Sequence, residues 1–146
     1  MISEDLLKSK TREFFNLFWN PLNGQPPEWS NHWYFEHTIE NHDERGCYAL
    51  FVDKKVVYIG VGIGQGSGQY QNCGLGYRLK RYWKVDKDKT TTKKYKPRDN
   101  WEKVTSILTI GFKNEYYPLA AALEIFLINA LNPEKNTQHK KTPNNT

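Results

Sequence analysis

The sequence predicts an α+β domain in which a small, mainly antiparallel three-stranded sheet is flanked by helices. Helical patterns lie at both ends of the chain, and short β-branched and aromatic runs lie between them, separated by turn-forming residues. The 146 residues are 38% hydrophobic and include 5 Trp, 9 Tyr and 7 Phe, enough for a substantial core. We therefore expect one domain over residues 1–146.

An amphipathic helix is predicted over Ser3–Trp19, because its large apolar residues fall on one helical face. Asn20-Pro21 ends this pattern. The residues that form the apolar face are Leu7, Phe14, Phe15 and Phe18. Residues 21–46 lack a sustained period, so we expect a long connection packed on the domain, with a short helix near residues 30–36.

Two short runs, Cys47–Val52 and Val56–Gly60, predict a β-hairpin. Tyr48 and Tyr58 share a face of that hairpin only if the numbers of paired residues add up to an even value. A three-residue turn over Asp53–Lys55 gives this register, as does a compensating bulge, whereas a two-residue turn alone does not. We predict the three-residue turn, with both rings on the face that receives the catalytic groups.

The second half of the chain predicts a helix, a strand and a final helix. Seven of the ten glycines form a flexible loop ahead of a helical pattern over Leu75–Tyr82. Val104–Phe112 alternates like a strand, and Pro118 suits the first turn of a helix that runs to Leu131. The polar residues 137–146 predict a flexible tail.

Basic charge is concentrated in one segment. Arg78–Arg98 contains ten basic and two acidic residues, a net charge of +8 in a chain whose formal net charge is +5. A basic segment of this kind is typical of a polyanion-binding site, although a solvated lysine loop has the same composition. The candidate DNA-contacting residues are Lys80, Arg81, Lys84, Lys93, Lys94, Lys96 and Arg98.

Several protein classes are disfavoured. The sequence has no apolar run of the ~18 residues that a transmembrane helix needs, and its acidic start is unlike a secretory signal. Cys47 and Cys73 are too few for a disulfide framework, so we expect reduced thiols in the cytoplasm. The glycine loop fits neither common phosphate-binding motif. Three histidines at five-residue steps, His32, His37 and His42, are more typical of a loop than of a zinc site.

The last predicted helix is apolar on nearly every face and contains one carboxylate, Glu124. A charge in such a helix needs a cationic partner, a position at the solvent edge or a metal ion. We favour a metal or acid–base role over a salt bridge. Arg78 and Tyr82 are one helical turn apart and are predicted to project from the same face.

Two short motifs resemble the half-motifs of the GIY-YIG nuclease superfamily. Gly46-Cys47-Tyr48 stands where the family has Gly-Ile-Tyr, and Tyr58-Ile59-Gly60 is intact. Nine residues separate the two tyrosines, a spacing similar to that of the family. The chain departs from some members at Val61, where they carry Lys, and in its longer glycine-rich insertion.

The resemblance continues through residues 46–136, which it identifies as a nuclease core preceded by an N-terminal addition over residues 1–45. The matching elements are the arginine and the following His or Tyr at Arg78 and Tyr82, the glutamate on a late apolar helix at Glu124, and the closing Asn-Pro…Asn pattern at Asn132, Pro133 and Asn136. Five elements therefore occur in the family's order.

This resemblance implies a metal-dependent endonuclease that hydrolyses DNA phosphodiester bonds. It implies that Glu124 holds Mg²⁺ or Mn²⁺, that Arg78 contacts the phosphate, and that Tyr48 helps to activate water, with Tyr58 supporting it. The catalytic set it implies is Tyr48, Tyr58, Arg78, Tyr82, Glu124 and Asn136. Two alternatives stay open: a non-catalytic nucleic-acid-binding module with the same fold, and an RNA-directed nuclease, since nothing in the sequence reads a 2′-OH.

Overall fold

A computed structural model describes residues 1–66, 68–71, 73–86 and 94–140. Within these ranges the chain forms three α-helices, a three-stranded antiparallel sheet and a separate two-stranded sheet, so the α+β prediction is confirmed. The helices are α1 (Glu4–Phe18), α2 (Gly74–Leu79) and α3 (Tyr117–Leu131). The strands are β1 (Arg45–Val52), β2 (Lys55–Gly62), β3 (Trp83–Val85), β4 (Tyr95–Pro97) and β5 (Ser106–Phe112), and single 3₁₀ turns lie at Pro21–Asn23, Gly68–Tyr70 and Asn114–Tyr116.

Helix α1 begins as its sequence predicts. The Ser3 hydroxyl accepts a hydrogen bond of 3.1 Å from the Leu6 amide and so caps the first turn. The predicted apolar face is buried at Leu7, Phe14 and Phe15, whereas Phe18, also predicted on that face, is 57% exposed at the end of the helix. Phe14 contacts Phe126 of α3 with ring centroids 5.6 Å apart, which fixes the two long helices together on one side of the sheet.

Strand β1 lies between β2 and β5 and contributes to two separate cores. Because successive side chains of a strand point to opposite faces, its odd-numbered and even-numbered residues enter different clusters. Cys47, Ala49 and Phe51 pack in the cluster covered by α1 and α3. Tyr48 and Leu50 pack in the cluster covered by α2.

The hairpin reaches the predicted arrangement of its tyrosines by a different route. The three-residue turn is wrong, because Val52 pairs directly with Lys55. Asp53 closes this two-residue turn with a φ of 54°, a left-handed conformation that a short polar side chain tolerates. A bulge then inserts Val57, so that Leu50 pairs with Tyr58 and the even register is restored.

The short helix predicted near residues 30–36 is absent from the described structure. Trp33 instead forms an antiparallel bridge with Ile107 on the outer edge of β5, with backbone hydrogen bonds of 2.9 and 3.0 Å. This pairing satisfies edge backbone groups that a helix would leave exposed. Trp33, Phe35 and Ile39 are buried in the α2-side cluster, so the connection packs on the domain as expected.

The helix predicted over Leu75–Tyr82 is too long by three residues. Helix α2 ends at Leu79, and the Tyr82 amide donates 2.9 Å to the Leu79 carbonyl in a tighter turn. The aromatic and β-branched residues that follow favour an extended chain. They form β3, which pairs with β4 in a ribbon that the sequence analysis did not predict.

The described residues include no helix with both the length and the apolar character needed to cross a membrane. Helix α3, the most apolar of the three, has 15 residues, whereas a bilayer requires about 20.

Candidate active site

Strands β1 and β2 place Tyr48 opposite Gly60. A Cβ atom at position 60 would lie 2.3 Å from the Tyr48 hydroxyl oxygen and 2.3 Å from the ring carbon that carries it. Only glycine therefore leaves room for the Tyr48 ring, which is fully buried. One residue from each half-motif thus contributes to a single packing arrangement.

Three tyrosines meet beneath α2. The hydroxyls of Tyr48 and Tyr82 are 2.5 Å apart in a hydrogen bond, and the Tyr58 ring lies 6.2 Å from each of the other two rings. Burial, reinforced by the neighbouring tyrosines, raises the pKa of Tyr48 well above 10. Burial also raises the pKa of Tyr82 to about 12. Both hydroxyls therefore keep their protons at neutral pH.

Arg78 projects from α2 toward these hydroxyls. Burial acts to lower the pKa of Arg78, but its interactions with the hydroxyls of Tyr48, Tyr82 and Tyr58 together outweigh burial and raise it. Its Nε atom is buried and has no hydrogen-bond partner among the described residues. A guanidinium with an unused donor is suited to bind an oxyanion.

Glu124 reaches the same region from α3, which covers the opposite face of the sheet. Burial raises the pKa of this half-buried carboxyl, while the charges of His139 and Arg78 act to lower it. Tyr58 packs with the α2-side cluster and Val61 with the α3-side cluster, and both line the same cleft. The cleft therefore crosses the outer edge of β2.

This cleft has a volume of about 340 Å³. Its wall includes four of the six predicted catalytic residues: Tyr58, Arg78, Glu124 and Asn136. The other two, Tyr48 and Tyr82, lie beneath the wall in the tyrosine cluster. The structure thus brings all six into one region, and it separates the tyrosine that faces the cleft from the two that are buried.

Asn136 is buried and its side-chain amide is fully used by β2. Its Oδ1 accepts 2.9 Å from the Ile59 amide, and its Nδ2 donates 2.8 Å to the Ile59 carbonyl. The Lys135 amide donates 3.0 Å to the Val57 carbonyl. The segment after α3 therefore pairs with the outer edge of β2 and fixes the cleft wall, and Asn132 ends α3 with a φ of 53° so that this segment can turn back.

Sequence reasoning missed Trp101, which supports the tyrosines from outside the cleft, and one part of the cleft wall. Trp101 packs edge-on against Tyr58 and Tyr82 with centroid distances of 5.4 and 5.0 Å. Thr137, Gln138 and His139, assigned to a flexible tail, line the cleft beside Asn136. A lone tryptophan and a polar C-terminal run carry no periodic signal, so no pattern could have placed them here.

The predicted DNA-contacting residues lie mainly on the β3–β4 ribbon and the turn before it. Lys84 and Lys96 are direct cross-strand partners, which places two like charges opposite each other. Such a pair is unfavourable unless an anion is nearby, and Asp99 reaches only to 3.8 Å from Lys84. The remaining residues are placed as follows: Lys94 pairs with Glu36 at 3.2 Å, Lys80 covers the Tyr77 ring, Arg98 Nε donates to the Lys80 carbonyl, Arg81 is exposed, and Lys93 lies outside the described residues.

The donors in the cleft suit a hard cation. No three His, Cys, Asp or Glu side chains gather as a metal site within the described ranges. His32, one of the regularly spaced histidines, contacts Ser106 at 2.9 Å and Glu4 at 3.1 Å. Mg²⁺ usually keeps several waters and is held by one or two carboxylates together with substrate phosphates. Glu124 in an open cleft fits that requirement for Mg²⁺ or Mn²⁺.

Comparisons with known proteins give no family or relative for this chain. A scan against protein-family models and searches of curated proteins and of solved structures found no significant match.

Proposed function

We propose that this protein is a metal-dependent endonuclease that hydrolyses DNA phosphodiester bonds and belongs to the GIY-YIG nuclease superfamily. The observation that carries the proposal is the convergence of Tyr58, Arg78 and Glu124 on one cleft from β2, α2 and α3. These three residues are far apart in sequence and supply a hydroxyl, a cation and a carboxylate. Phosphodiester hydrolysis can use all three: a hydroxyl to orient water, a cation to stabilise charge on the phosphate, and a carboxylate to hold a metal ion.

Glu124 is the residue that would hold Mg²⁺ or Mn²⁺. When bound, the ion would supply Lewis-acid stabilisation of the charge that develops on the phosphate and the leaving oxygen. The nearby cations, Arg78 and His139 when protonated, help to keep the Glu124 carboxylate ionised against the effect of burial. A half-buried carboxylate in this setting is available to a cation and shielded from competing exposed lysines.

Arg78 is suited to bind the scissile phosphate. In hydrolysis, the water oxygen bonds to phosphorus and gives up a proton to the surrounding solvent, the bond to the leaving oxygen breaks, and the leaving oxygen takes up a proton. Negative charge builds on the non-bridging oxygens in between, and a guanidinium placed beside them stabilises it. Arg78 lines the cleft, so its guanidinium group can meet a phosphate bound there.

Tyr58 is the tyrosine that we assign to the attacking water. Its half-buried side chain lines the cleft, so its hydroxyl can orient a water molecule there. Tyr48 is fully buried and its pKa is raised by that burial, so it supports the site through Tyr82 and Arg78 instead of contacting water. This exchanges the roles that the family resemblance implies for the two tyrosines.

The β3–β4 ribbon supports DNA as the substrate. Lys84 and Lys96 are direct cross-strand partners, and a phosphate backbone beside them would reduce the repulsion between their two charges. Cys47 and Cys73 are both free thiols, which agrees with the cytoplasmic location that belongs to this proposal.

The experiment is incubation of the purified protein with supercoiled plasmid in Mg²⁺, in Mn²⁺ and in EDTA. We expect nicked and linear products with either metal and none in EDTA. Binding of plasmid without cleavage in any metal would favour the non-catalytic module. A labelled RNA of matched sequence, cut while the DNA stays intact, would assign the same site to RNA.

A further inference from the structure

Two buried side-chain nitrogens lack a hydrogen-bond partner within the described structure: Nε of Arg78 and Nε of Arg45. Buried polar atoms are nearly always satisfied, so each exception calls for a physical account. Arg78 belongs to the candidate active site. Arg45, the first residue of β1, has no part in the roles assigned above.

Two neighbours determine the position of the Arg45 side chain: the aromatic ring of Tyr117, and Gly74, which has no side chain. Its guanidinium carbon lies 4.3 Å from the centroid of the Tyr117 ring. A Cβ atom on Gly74 would approach its Cγ to 3.0 Å, so the glycine gives its aliphatic stem space. None of the ion pairs between described residues includes Arg45. A guanidinium stacked on a ring keeps its edge available for a planar oxyanion.

The two neighbours of Arg45 also locate it relative to the cleft. Gly74 is one helical turn from Arg78 on α2, and Tyr117 is two turns from Glu124 on α3. At 1.5 Å per residue these separations are about 6 Å and about 10.5 Å along the helix axes. Arg45 therefore lies at the end of the sheet where both helices begin, and the candidate active site lies further along both helices.

We propose that Arg45, stacked on Tyr117, binds a second backbone phosphate of the DNA whose scissile phosphate lies at Arg78. This inference rests on the proposed function. A DNA strand presents one phosphate per ~3.4 Å of helix axis. Because Arg45 and Arg78 contact the same two helices at different positions along them, the second phosphate would belong to the same strand and lie close to the cleavage point. Two anchored phosphates fix the direction in which the strand crosses the outer edge of β2.

The test measures binding of a fluorescent DNA duplex in EDTA over a range of salt concentrations. We expect Arg45→Gln to weaken binding about tenfold and to reduce the slope of log K against log salt by about 0.9, the value for one phosphate contact. Arg45→Lys keeps the charge and should keep the slope. Arg12→Gln removes an exposed arginine on α1 and is the matched control, for which we expect parental binding.

Turnover on plasmid gives a second readout. A phosphate contact away from the reacting bond should raise KM for Arg45→Gln about tenfold and leave kcat within about threefold of the parent. Arg78→Gln should instead lose kcat. If Arg45 had only a structural role, Arg45→Gln would leave the salt slope unchanged and would not raise KM while leaving kcat near the parental value.

A parental salt slope for folded Arg45→Gln would overturn the second phosphate site, and the proposed function would stand if the parent still bound and cut DNA. A parent that bound no DNA at low salt would defeat both proposals before any variant was made. If Arg45→Gln failed to fold by thermal melting, Tyr117→Leu would decide. It removes the ring but keeps the charge, and we expect about threefold weaker binding with the slope retained; parental affinity for that variant would contradict the inference.

Discussion

Asn136 pairs with Ile59 through both Oδ1 and Nδ2 of its side-chain amide, and together with the backbone of Lys135 and Ile2 it occupies the outer edge of β2, which has no neighbouring strand. An exposed strand edge presents unpaired amides and carbonyls that can recruit another chain. The Asn136 amide satisfies the two groups of Ile59 and holds the segment that carries His139 against the cleft. The family-like Asn at this position therefore has a structural explanation that is independent of catalysis.

Replacing Asn136 with Ala should lower the free energy of unfolding by about 3 kcal/mol, because two hydrogen bonds are lost and two buried backbone groups are left unsatisfied. Urea unfolding followed by fluorescence measures this change. Asn114→Ala, at an exposed position before α3, is the control and should stay within about 0.5 kcal/mol of the parent. A loss of the same small size for Asn136→Ala would mean that the Asn136–Ile59 pairing contributes little.

The packing of Tyr48 against Gly60 predicts a sharp difference between two glycines of the same segment. Gly60→Ala would place a methyl group 2.3 Å from the Tyr48 hydroxyl oxygen, whereas nothing lies within 4 Å of a Cβ atom on Gly64. We expect Gly60→Ala to destabilise the protein by at least about 2 kcal/mol through forced repacking. Gly64→Ala should be neutral within about 1 kcal/mol. Equal unfolding midpoints for the two variants would contradict the buried position of Tyr48.

The two half-motif tyrosines should respond differently to loss of the hydroxyl. Tyr58→Phe removes the hydroxyl of a tyrosine that lines the cleft, and we expect cleavage to slow about 100-fold, with a smaller loss of stability than for Tyr48→Phe. Tyr48→Phe breaks the 2.5 Å hydrogen bond to Tyr82, and we expect a loss of about 1–2 kcal/mol in stability. Its cleavage rate should fall less than that of Tyr58→Phe. The reverse order of rates, measured on folded variants under single-turnover conditions, would return water activation to Tyr48.

Glu124 should make folding stability depend on pH in an unusual direction for a carboxyl group. Burial raises its pKa above the ordinary 4.5, so the folded state binds the proton more tightly than the unfolded state does. Glu124 therefore contributes stability that is present below pH 4.5 and is lost as pH rises through its folded pKa. We expect Glu124→Gln, which does not titrate, to gain stability relative to the parent between pH 4 and pH 7.

Glu134→Gln is the control, because its stability relative to the parent should change with pH in the opposite direction to that of Glu124→Gln. The hydrogen bond from Lys55 lowers the pKa of Glu134, so its contribution to stability is present at neutral pH and is lost as pH falls. Relative to the parent, Glu134→Gln should therefore lose stability between pH 4 and pH 7. Urea titrations at the two pH values measure both trends. Parallel trends for the two variants would show that Glu124 is not buried as described.

The sequence predicted the elements whose signals are long or local. The spacing of the apolar residues up to Phe18 predicts α1, and the unbroken apolar run with Glu124 predicts α3. The ribbon was missed because β3 and β4 have three residues each, which is too few to show an alternating pattern. Propensity alone also could not distinguish a three-residue turn from a two-residue turn with a bulge at Val57.

The sequence also predicted only part of the candidate site, namely the residues that belong to short motifs. Tyr58, Arg78 and Glu124 belong to the short motifs that the sequence analysis identified, and the structure places all three along one cleft. Trp101 and His139 became neighbours of these residues only through tertiary packing, which leaves no mark on local sequence. Burial of Tyr48 is likewise a property of the folded sheet, so the division of labour between the two tyrosines could not be inferred from the motif alone.

The most direct test of the central claim is the rate at which two glutamine variants relax supercoiled plasmid in Mg²⁺. Glu124→Gln removes the carboxylate of the cleft, and Glu115→Gln removes an exposed carboxylate just before α3. We predict parental cleavage for Glu115→Gln and a rate at least about 100-fold lower for Glu124→Gln, with DNA binding kept within about threefold. Cleavage by Glu124→Gln at the parental rate would contradict the proposed metal site and, with it, the proposed mechanism.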